Sequence, residues 1–236
     1  MVTKQDIREE KWNYLMEQKL GRFPFPLQNR IPNFKGAEQA AEFVTTIPAY
    51  KDAKVVKVNP DAPQLPIRAQ VLRDKKVLLV PTPRLRAGFI KVKPEWVPEG
   101  EERRAASLSH IKSYGKEIPL DEIPVIDLFF VGSVALHRDG RRVGKGAGYA
   151  DREYAIIREL GNPDVPIIGT VHSVQLTGED IPRDPFDLTV DWIATEKELI
   201  KTNSGYEKPS GIQWELVTEE ELEEMPVLKE LHEQKK

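Results

Sequence analysis

The sequence predicts an α/β fold in which a mostly parallel sheet is covered by helices on both faces. Three apolar runs, at 76–80, 125–131 and 165–171, indicate buried strands, because strands covered on both faces read as nearly continuous hydrophobic sequence. Helical patterns alternate with these runs, as is typical of parallel strands joined by right-handed crossovers. We therefore expect three layers, with ligands bound beyond the carboxyl ends of the strands.

The elements can be predicted in order from the start of the chain. The first helix is expected to begin at Thr3, whose hydroxyl can exchange hydrogen bonds with Asp6, and to end at Gly21. Residues 84–122 are irregular and rich in charge, so we interpret them as an insertion or lid. The remaining predicted elements are helices at 36–46, 66–74 and 149–160, and strands at 55–58, 76–80, 125–131, 165–171 and 188–194.

Two parts are expected along the chain. Residues 1–202 are predicted to form one α/β domain, and residues 203–236 a linker with a short acidic helix. The sequence Thr218-Glu-Glu-Glu221 is a capping box that begins this helix. Apolar residues then recur at three-residue spacing, at Leu222, Met225, Leu228 and Leu231. This stripe is expected to dock on the body or on a partner, or to leave the terminal helix loosely docked.

Composition excludes several classes of protein. The chain has 236 residues, a net charge of −3 and no cysteine. Absent cysteine excludes disulfides, thiolate metal sites and cysteine nucleophiles. The net charge does not suggest a nucleic-acid partner. Because there is neither an apolar run long enough for a membrane span nor an apolar signal core, we expect a cytoplasmic protein.

The most informative segment is a glycine-rich loop at 139–152, between a predicted strand and a predicted helix. Glycines at alternate positions permit sharp turns and close approach of a ligand to the backbone, and the following helix directs its N-terminal dipole at the same place. These features indicate an anion cradle, most simply for phosphate, and Asp151 adds a carboxylate suited to Mg²⁺. The glycines are Gly144, Gly146 and Gly148, and the cations are Arg141, Arg142 and Lys145.

Each of these residues also has a simpler interpretation. The loop alone is compatible with a surface turn that carries solvated arginines. Asp151 is suited to the first turn of a helix, where acidic residues are common. The polar cluster at 29–35 is equally compatible with lining a cleft and with packing.

The loop resembles that of a known family. Arg142-Val-Gly-Lys-Gly-Ala-Gly-Tyr-Ala-Asp-Arg152 is similar to the Arg-Leu-Gly-x-Gly-x-Gly-Tyr-Tyr-Asp-Arg loop of the 5-formyltetrahydrofolate cyclo-ligases, also called methenyltetrahydrofolate synthetases. Lys4-Gln-Asp-Ile-Arg8 resembles their opening Lys-x-x-Leu-Arg motif. Further along, Gln175, Pro182, Asp187 and Thr195 follow the family order. The resemblance implies a NagB/RpiA/CoA-transferase-like fold.

The resemblance also implies a reaction and a set of site residues. Family members use ATP and Mg²⁺ to phosphorylate the formyl oxygen of 5-formyltetrahydrofolate and close the ring to 5,10-methenyltetrahydrofolate. By resemblance, ATP contacts come from Lys4, Arg8, Arg142, Gly144, Lys145, Gly146, Gly148 and Tyr149, and Mg²⁺ ligands from Asp151 and Asp187. The cations Lys4, Arg8, Arg142 and Lys145 are the implied catalytic residues.

One branch of the family is more similar than the rest. Segments 29–36, 57–64, 79–86 and 131–135 resemble the methenyltetrahydrofolate synthase domain-containing proteins. The Glu-x-x-Thr segment that helps hold the folate in the synthetases is missing, and residues 59–63 stand near its place. Two functions therefore remain open: an enzyme acting on a reduced folate or a similar small molecule, and a non-catalytic nucleotide- or RNA-binding module on the same fold.

Overall fold

An eight-stranded sheet runs through the centre of the protein. The structure is a computed structural model that describes residues 2–235. The helices are α1 (Lys4–Glu17), α2 (Ala37–Val44), α3 (Pro48–Asp52), α4 (Leu65–Arg73), α5 (Glu102–Ala106), α6 (Ile111–Tyr114), α7 (Tyr149–Glu159), α8 (Glu219–Glu224) and α9 (Pro226–Gln234). The strands are β1 (Gly21–Arg22), β2 (Asn33–Phe34), β3 (Val55–Val58), β4 (Val77–Pro81), β5 (Phe89–Val92), β6 (Lys116–Ile118), β7 (Leu128–Val131), β8 (Ala135–His137), β9 (Arg142–Val143), β10 (Ile167–Thr170), β11 (Leu176–Thr177), β12 (Trp192–Ala194) and β13 (Leu199–Lys201).

The centre of this sheet is parallel and its edges are antiparallel. The strand order is β13-β12-β10-β7-β3-β4-β5-β6. The five strands from β12 to β4 pair in parallel, whereas β13, β5 and β6 pair antiparallel. This topology confirms the predicted mostly parallel sheet.

Helices cover both faces of the sheet, which gives the three layers. Successive strand residues point to opposite faces, so Leu78 and Val80 pack in one core and Leu79 in the other. The first core also contains apolar residues of α2, α4 and α5, and the second those of α7, α8 and α9. Two cores separated by one sheet are the expected three-layer arrangement.

Helix α1 begins where the sequence predicts but ends earlier. Thr3 and Asp6 form the expected capping box. The helix ends at Glu17, because Lys19 takes the left-handed conformation with φ 55° and Leu20 N–H donates to the Leu15 carbonyl. This is a Schellman closure with lysine in the place usually taken by glycine. The prediction that Gly21 ends the helix is therefore wrong, and Gly21 belongs to β1.

The prediction that 84–122 is an insertion or lid is also wrong. Strands β5 and β6 in this segment extend the central sheet, α6 packs against β5, and α5 packs against α4. Phe89 and Ile118 are core residues. The strands have only four and three residues, too few for a hydrophobic period to stand out from the charged residues around them.

The C-terminal segment forms two short helices that pack against the second core. Thr218 caps α8 through the predicted capping box, and Pro226 begins α9 as its first residue. All members of the apolar stripe are buried in that core, namely Leu222, Met225, Leu228 and Leu231. The division at residue 202 stays a prediction. Within residues 2–235, no helix is both long enough and apolar enough to cross a membrane.

A small three-stranded sheet, with the order β11-β8-β9, positions α1 against the glycine-rich loop. Ile7 of α1 is buried together with Ala135 of β8, Val143 of β9 and Ile181. Because β9 leads directly into the loop, this apolar contact fixes the distance between the start of the chain and residues 144–148.

Candidate functional site

A cavity of about 820 Å³ opens at the carboxyl ends of three neighbouring parallel strands. Asn59 and Asp61 follow β3, Thr82 follows β4 and Gly132 follows β7, and all four line this cavity. The glycine-rich loop forms another wall, so we call this space the loop cavity. Its position agrees with the rule that ligands of parallel sheets bind beyond the strand ends.

The loop turns sharply through glycines. Gly146 and Gly148 have φ of 108° and 69°, a region in which residues other than glycine are strained. Gly148 is also the N-cap of α7, and it supplies no side-chain cap. The first N–H groups of this helix are therefore left for other acceptors at the edge of the cavity.

Two cations of α1 reach the loop. Arg8 Nε donates to the Gly144 carbonyl at 2.7 Å. Lys4 Nζ lies 2.5 Å from Asp187 Oδ2 and 3.0 Å from Asp184 Oδ2. Residues separated by more than 130 positions thus meet at one cavity.

All ten residues implied by the family resemblance line the loop cavity. They are Lys4, Arg8, Arg142, Gly144, Lys145, Gly146, Gly148, Tyr149, Asp151 and Asp187. These residues differ in the number of polar contacts that they make within the protein.

Arg142 and Asp151 bind each other. Arg142 Nη2 donates to both carboxylate oxygens of Asp151 at 2.9 Å, and Nη1 donates to the Gly132 carbonyl at 2.9 Å. Asp151 Oδ1 also accepts from the Leu188 N–H at 2.9 Å. Arg142 therefore joins the end of β7 to the start of α7 and shapes the loop from behind, whereas its contact with ATP stays a prediction.

Tyr149 is linked to the C-terminal helices. Its hydroxyl donates to Glu224 Oε2 of α8 at 3.0 Å, and burial together with this carboxylate raises its pKa. The neighbouring Arg152 pairs with Glu221 at 2.7 Å. The first turn of α7 thus contacts α8 on one side and the loop cavity on the other.

Two cations of the loop cavity have pKa values shifted by their surroundings. Burial and the nearby Arg142 charge lower the pKa of Arg8, and a bound anion would offset the repulsion between the two guanidinium groups. Burial opposes the charge on Lys4, but its hydrogen bonds to Asp187 and Asp184 outweigh burial and raise its pKa. The arginine side chain stays protonated in proteins, and the upward shift of the Lys4 pKa favours its charged form.

A second cavity of about 1120 Å³ adjoins the first. The two share Ile31, Pro60, Asp61, Leu108 and Lys145 in their walls. The rest of the second cavity is lined by residues from the segments 22–38, 62–68 and 103–107. From the polar cluster considered above, Asn29, Arg30 and Asn33 line it, whereas Lys35 is not among its lining residues.

Sequence reasoning missed a buried polar group beneath the loop cavity. Lys57 of β3 pairs with Glu153 of α7 at 2.6 Å, and their side chains are 0% and 6% exposed. Lys57 also donates to Asn59 Oδ1. The one available signal was a lysine inside the apolar strand Val55-Val56-Lys57-Val58, because a charge at such a position needs a buried partner.

Comparison with known proteins agrees with this arrangement. The model of the 5-formyltetrahydrofolate cyclo-ligase family matches residues 1–196. The chain belongs to this family. Cyclo-ligases are a family of enzymes of folate metabolism, so the resemblance seen in the sequence is confirmed.

The chain is similar to vertebrate proteins that bear the name methenyltetrahydrofolate synthase domain-containing protein. The Bos taurus protein is 45% identical over 243 residues, covering 99% of this chain and 63% of the relative. The Mus musculus protein is 43% identical, covering 100% and 64%, and the Homo sapiens protein is 41% identical, covering 98% and 61%. The chain therefore spans less than two thirds of the length of these relatives.

Solved structures confirm the cyclo-ligase fold. The Aquifex aeolicus 5,10-methenyltetrahydrofolate synthetase is 20% identical with a TM-score of 0.54, covering 86% of this chain and 95% of its own. The Mycoplasma pneumoniae 5,10-methenyltetrahydrofolate synthetase is 15% identical with a TM-score of 0.50, covering 83% and 99%. At these identities the likeness concerns the fold alone.

Proposed function

We propose that this chain is an ATP- and Mg²⁺-dependent cyclo-ligase that converts 5-formyltetrahydrofolate to 5,10-methenyltetrahydrofolate. The observation that carries the proposal is the convergence of α1 and the glycine-rich loop on one cavity, through the hydrogen bond from Arg8 to Gly144. This contact brings cations, free backbone donors and a helix N-terminus together, which is the equipment that phosphoryl transfer needs.

The triphosphate is proposed to lie along the loop. Backbone N–H groups at 144–148 and at the start of α7 would donate to its oxygens, and Lys145 would add a cation, since this exposed side chain lines both cavities. Lys4 and Arg8 approach from α1 on the same side. A volume of about 820 Å³ is in the range of small-molecule sites.

Mg²⁺ fits Asp187 more readily than Asp151. Asp187 Oδ2 is occupied by Lys4 and by the Asp184 N–H, and its Oδ1 has no hydrogen-bond donor among residues 2–235. Both oxygens of Asp151 are held by Arg142. Within residues 2–235, no group of three or more histidine or carboxylate side chains is arranged to hold a metal.

A magnesium ion here would therefore need oxygens from the phosphates. Mg²⁺ commonly takes one or two carboxylates together with substrate phosphates and water. Asp187 is the residue proposed to hold it directly, and Asp151 would act through Arg142 unless that ion pair opens. When bound, the metal supplies charge neutralisation on the transferring phosphoryl group.

The reaction needs positioning rather than a protein nucleophile. The formyl oxygen is a poor leaving group, and transfer of the γ-phosphoryl group of ATP to it, with release of ADP, would convert it into a good one. N10 of the folate can then attack the activated carbon and lose its proton, with departure of phosphate and closure of the ring. The chain would hold the two substrates in adjacent cavities and exclude water, so that the reacting atoms meet in a fixed geometry.

The second cavity is proposed to hold the reduced folate. It contains an exposed aromatic side chain, Phe23, and the guanidinium groups of Arg22, Arg30 and Arg103. A folate combines ring systems with glutamate carboxylates, so this mixture of aromatic and cationic groups suits it. Since both cavities share Asp61 and Lys145, the folate and the triphosphate would meet at that boundary.

The direct test is formation of the methenyl product, followed by its absorbance, from 5-formyltetrahydrofolate and Mg-ATP with the purified chain. We expect ATP-dependent product formation that stops when Mg²⁺ is chelated. Thermal stabilisation by Mg-ATP without product would instead support the non-catalytic nucleotide-binding alternative. If the chain forms no product and Mg-ATP does not stabilise it, the proposal is contradicted.

A further inference from the structure

Lys57 places its amino group in the core, where three side chains interact with it. Its side chain is 0% exposed. The ammonium donates to Glu153 Oε2 at 2.6 Å and to Asn59 Oδ1, and it lies 3.9 Å above the centre of the Phe129 ring. A buried charge is tolerated when it is paired and hydrogen-bonded in this way, so Lys57 is a fixed point of the structure.

The fixed ammonium determines which way the Asn59 amide faces. A lysine ammonium has only donors, so the atom of Asn59 directed at it must be the carbonyl oxygen. The amide nitrogen Nδ2 is therefore turned away from Lys57. Among residues 2–235, Nδ2 has no hydrogen-bond acceptor and is not fully buried, and Asn59 lines the loop cavity.

The backbone around Asn59 is held as firmly as its side chain. Arg68 Nη1 donates to the carbonyl oxygens of Asn59 at 2.7 Å and Asp61 at 2.9 Å. Pro60 and Asp61, the next two residues, line both cavities. A rigid donor with no protein partner thus lies beside the boundary between the two spaces, and preorganised donors of this kind discriminate between ligands.

We propose that Asn59 is a specificity-determining residue that donates from Nδ2 to a carbonyl oxygen of the substrate, and that Lys57 is the positioning residue that fixes this orientation. The inference rests on the proposed function, because it takes the two cavities as nucleotide and folate sites. It adds the chemistry of one contact: the substrate must present a hydrogen-bond acceptor at this point, and an analogue with an amino group there is rejected.

The first test replaces the donor while keeping the shape. Asn59→Asp presents only acceptors and retains a partner for Lys57, and Asn59→Leu removes the donor without adding charge. In both variants, we expect the dissociation constant of 5-formyltetrahydrofolate to rise at least about tenfold, because a buried donor is lost. In Asn59→Leu, which adds no charge, the constant for Mg-ATP should change less than about twofold. The reason is that the triphosphate is proposed to lie along residues 144–148, whereas Asn59 lines the loop cavity next to Pro60 and Asp61, at the boundary with the second cavity. Both constants are measured by titration calorimetry.

The matched control is Asn13→Asp, which adds the same charge on the exposed side of α1, outside both cavities. It should change neither constant. Unchanged folate affinity in both Asn59 variants overturns the inference, as does an equal loss of Mg-ATP affinity. If the unaltered protein binds Mg-ATP but no 5-formyltetrahydrofolate, both the inference and the proposed function fail, and this outcome is recognised without any variant.

The second test separates positioning by Lys57 from a merely structural role. Lys57→Met together with Glu153→Gln avoids leaving an unpaired buried carboxylate. In ¹⁵N-labelled protein, the Asn59 side-chain amide signals are assigned by their loss in Asn59→Leu. We expect them to shift on addition of 5-formyltetrahydrofolate, and this shift to disappear in the double variant while folate affinity falls. A folded double variant that keeps both the shift and the affinity overturns the role of Lys57.

Discussion

The loop cavity and the second cavity are built in different ways. The loop cavity takes its main wall from the contiguous residues 142–151, and its charged side chains pair with one another, as Lys4 does with Asp187. The second cavity is assembled from segments around 22–33, 60–68 and 103–108. Its ion pair between Arg22 and Glu38 is partly exposed, with side chains 42% and 43% accessible.

This difference indicates that the two cavities contribute differently to ligand recognition. A wall of glycines, backbone donors and paired charges suits any ligand with phosphate groups, because the same contacts form with each. A wall assembled from distant loops depends on their individual side chains, and it is there that one substrate is distinguished from another. Family membership therefore constrains the proposed phosphate-bearing ligand more than the molecule that would accept its phosphate.

The largest effect is expected from Lys145→Ala. Its side chain is exposed and lines both cavities, so it contributes little to folding, whereas loss of a cation at a transferring phosphate costs roughly a hundredfold in rate. We expect kcat/KM for ATP to fall by about that factor with an unchanged Tm. Lys197→Ala, whose side chain is 72% exposed and outside both cavities, serves as the control. Unchanged kinetics for Lys145→Ala would remove the loop from the triphosphate site.

A pair of glycine substitutions tests whether the loop conformation itself matters. Gly146 and Gly161 have φ of 108° and 90°, so alanine at either position is strained by about 1–2 kcal/mol. Both variants should lose similar stability in urea unfolding. Only Gly146→Ala should weaken Mg-ATP binding, by roughly tenfold for a displaced hydrogen bond, because Gly161 lies at the far end of α7. Equal Mg-ATP affinity in both variants would mean that the loop backbone makes no contact with the nucleotide.

A smaller effect is expected in the second cavity. Arg103→Ala removes an exposed cation from its wall, and such contacts contribute roughly threefold to fivefold in affinity. We expect KM for 5-formyltetrahydrofolate to rise by about that factor while KM for ATP stays constant. Arg138→Ala, on the surface outside both cavities, is the matched control. A change in KM for ATP alone would contradict the assignment of the two cavities.

The smallest effect concerns a histidine outside both walls. Burial lowers the pKa of His172 below its ordinary value of 6.5, and its Nδ1 accepts from the Val174 N–H. Below pH 6.5, His172 binds a proton more readily in the unfolded chain than in the folded chain. The free energy of unfolding should therefore fall as pH decreases, by at most about 1.4 kcal/mol per pH unit. In urea unfolding between pH 7.5 and 5.5, His172→Gln should reduce this slope without changing either ligand affinity. An identical slope in the variant would mean that His172 does not contribute.

The sequence predicted the loop cavity better than the second cavity for a physical reason. In the loop, glycines, cations and a helix start occur within about ten residues, so local chemistry was sufficient. The approach of Lys4 and Arg8 was implied only by family resemblance, since nothing in their spacing distinguishes them from a solvated pair. Phe23 and Leu108 meet in the second cavity only through the folded chain, and no periodicity in sequence connects them.

The same limit applies within the fold. Strands β4, β7 and β10 were predicted because buried parallel strands read as nearly continuous apolar sequence. Strands β5 and β6 were missed, because edge strands of three or four residues among charges carry no comparable signal. The Lys57–Glu153 pair joins residues 96 positions apart, and only the unusual lysine in β3 pointed to it.

The contacts of α8 with α7 affect how this protein can be handled. Glu221 and Glu224 reach Arg152 and Tyr149, and the apolar stripe beneath them is buried. A fragment limited to residues 1–196, the portion matched by the family, would therefore expose an apolar surface prone to self-association. It would also lose the contacts that hold the first turn of α7 beside the loop cavity. Weak nucleotide binding by such a fragment would be a consequence of the missing helices α8 and α9. Assays should therefore use residues 1–236.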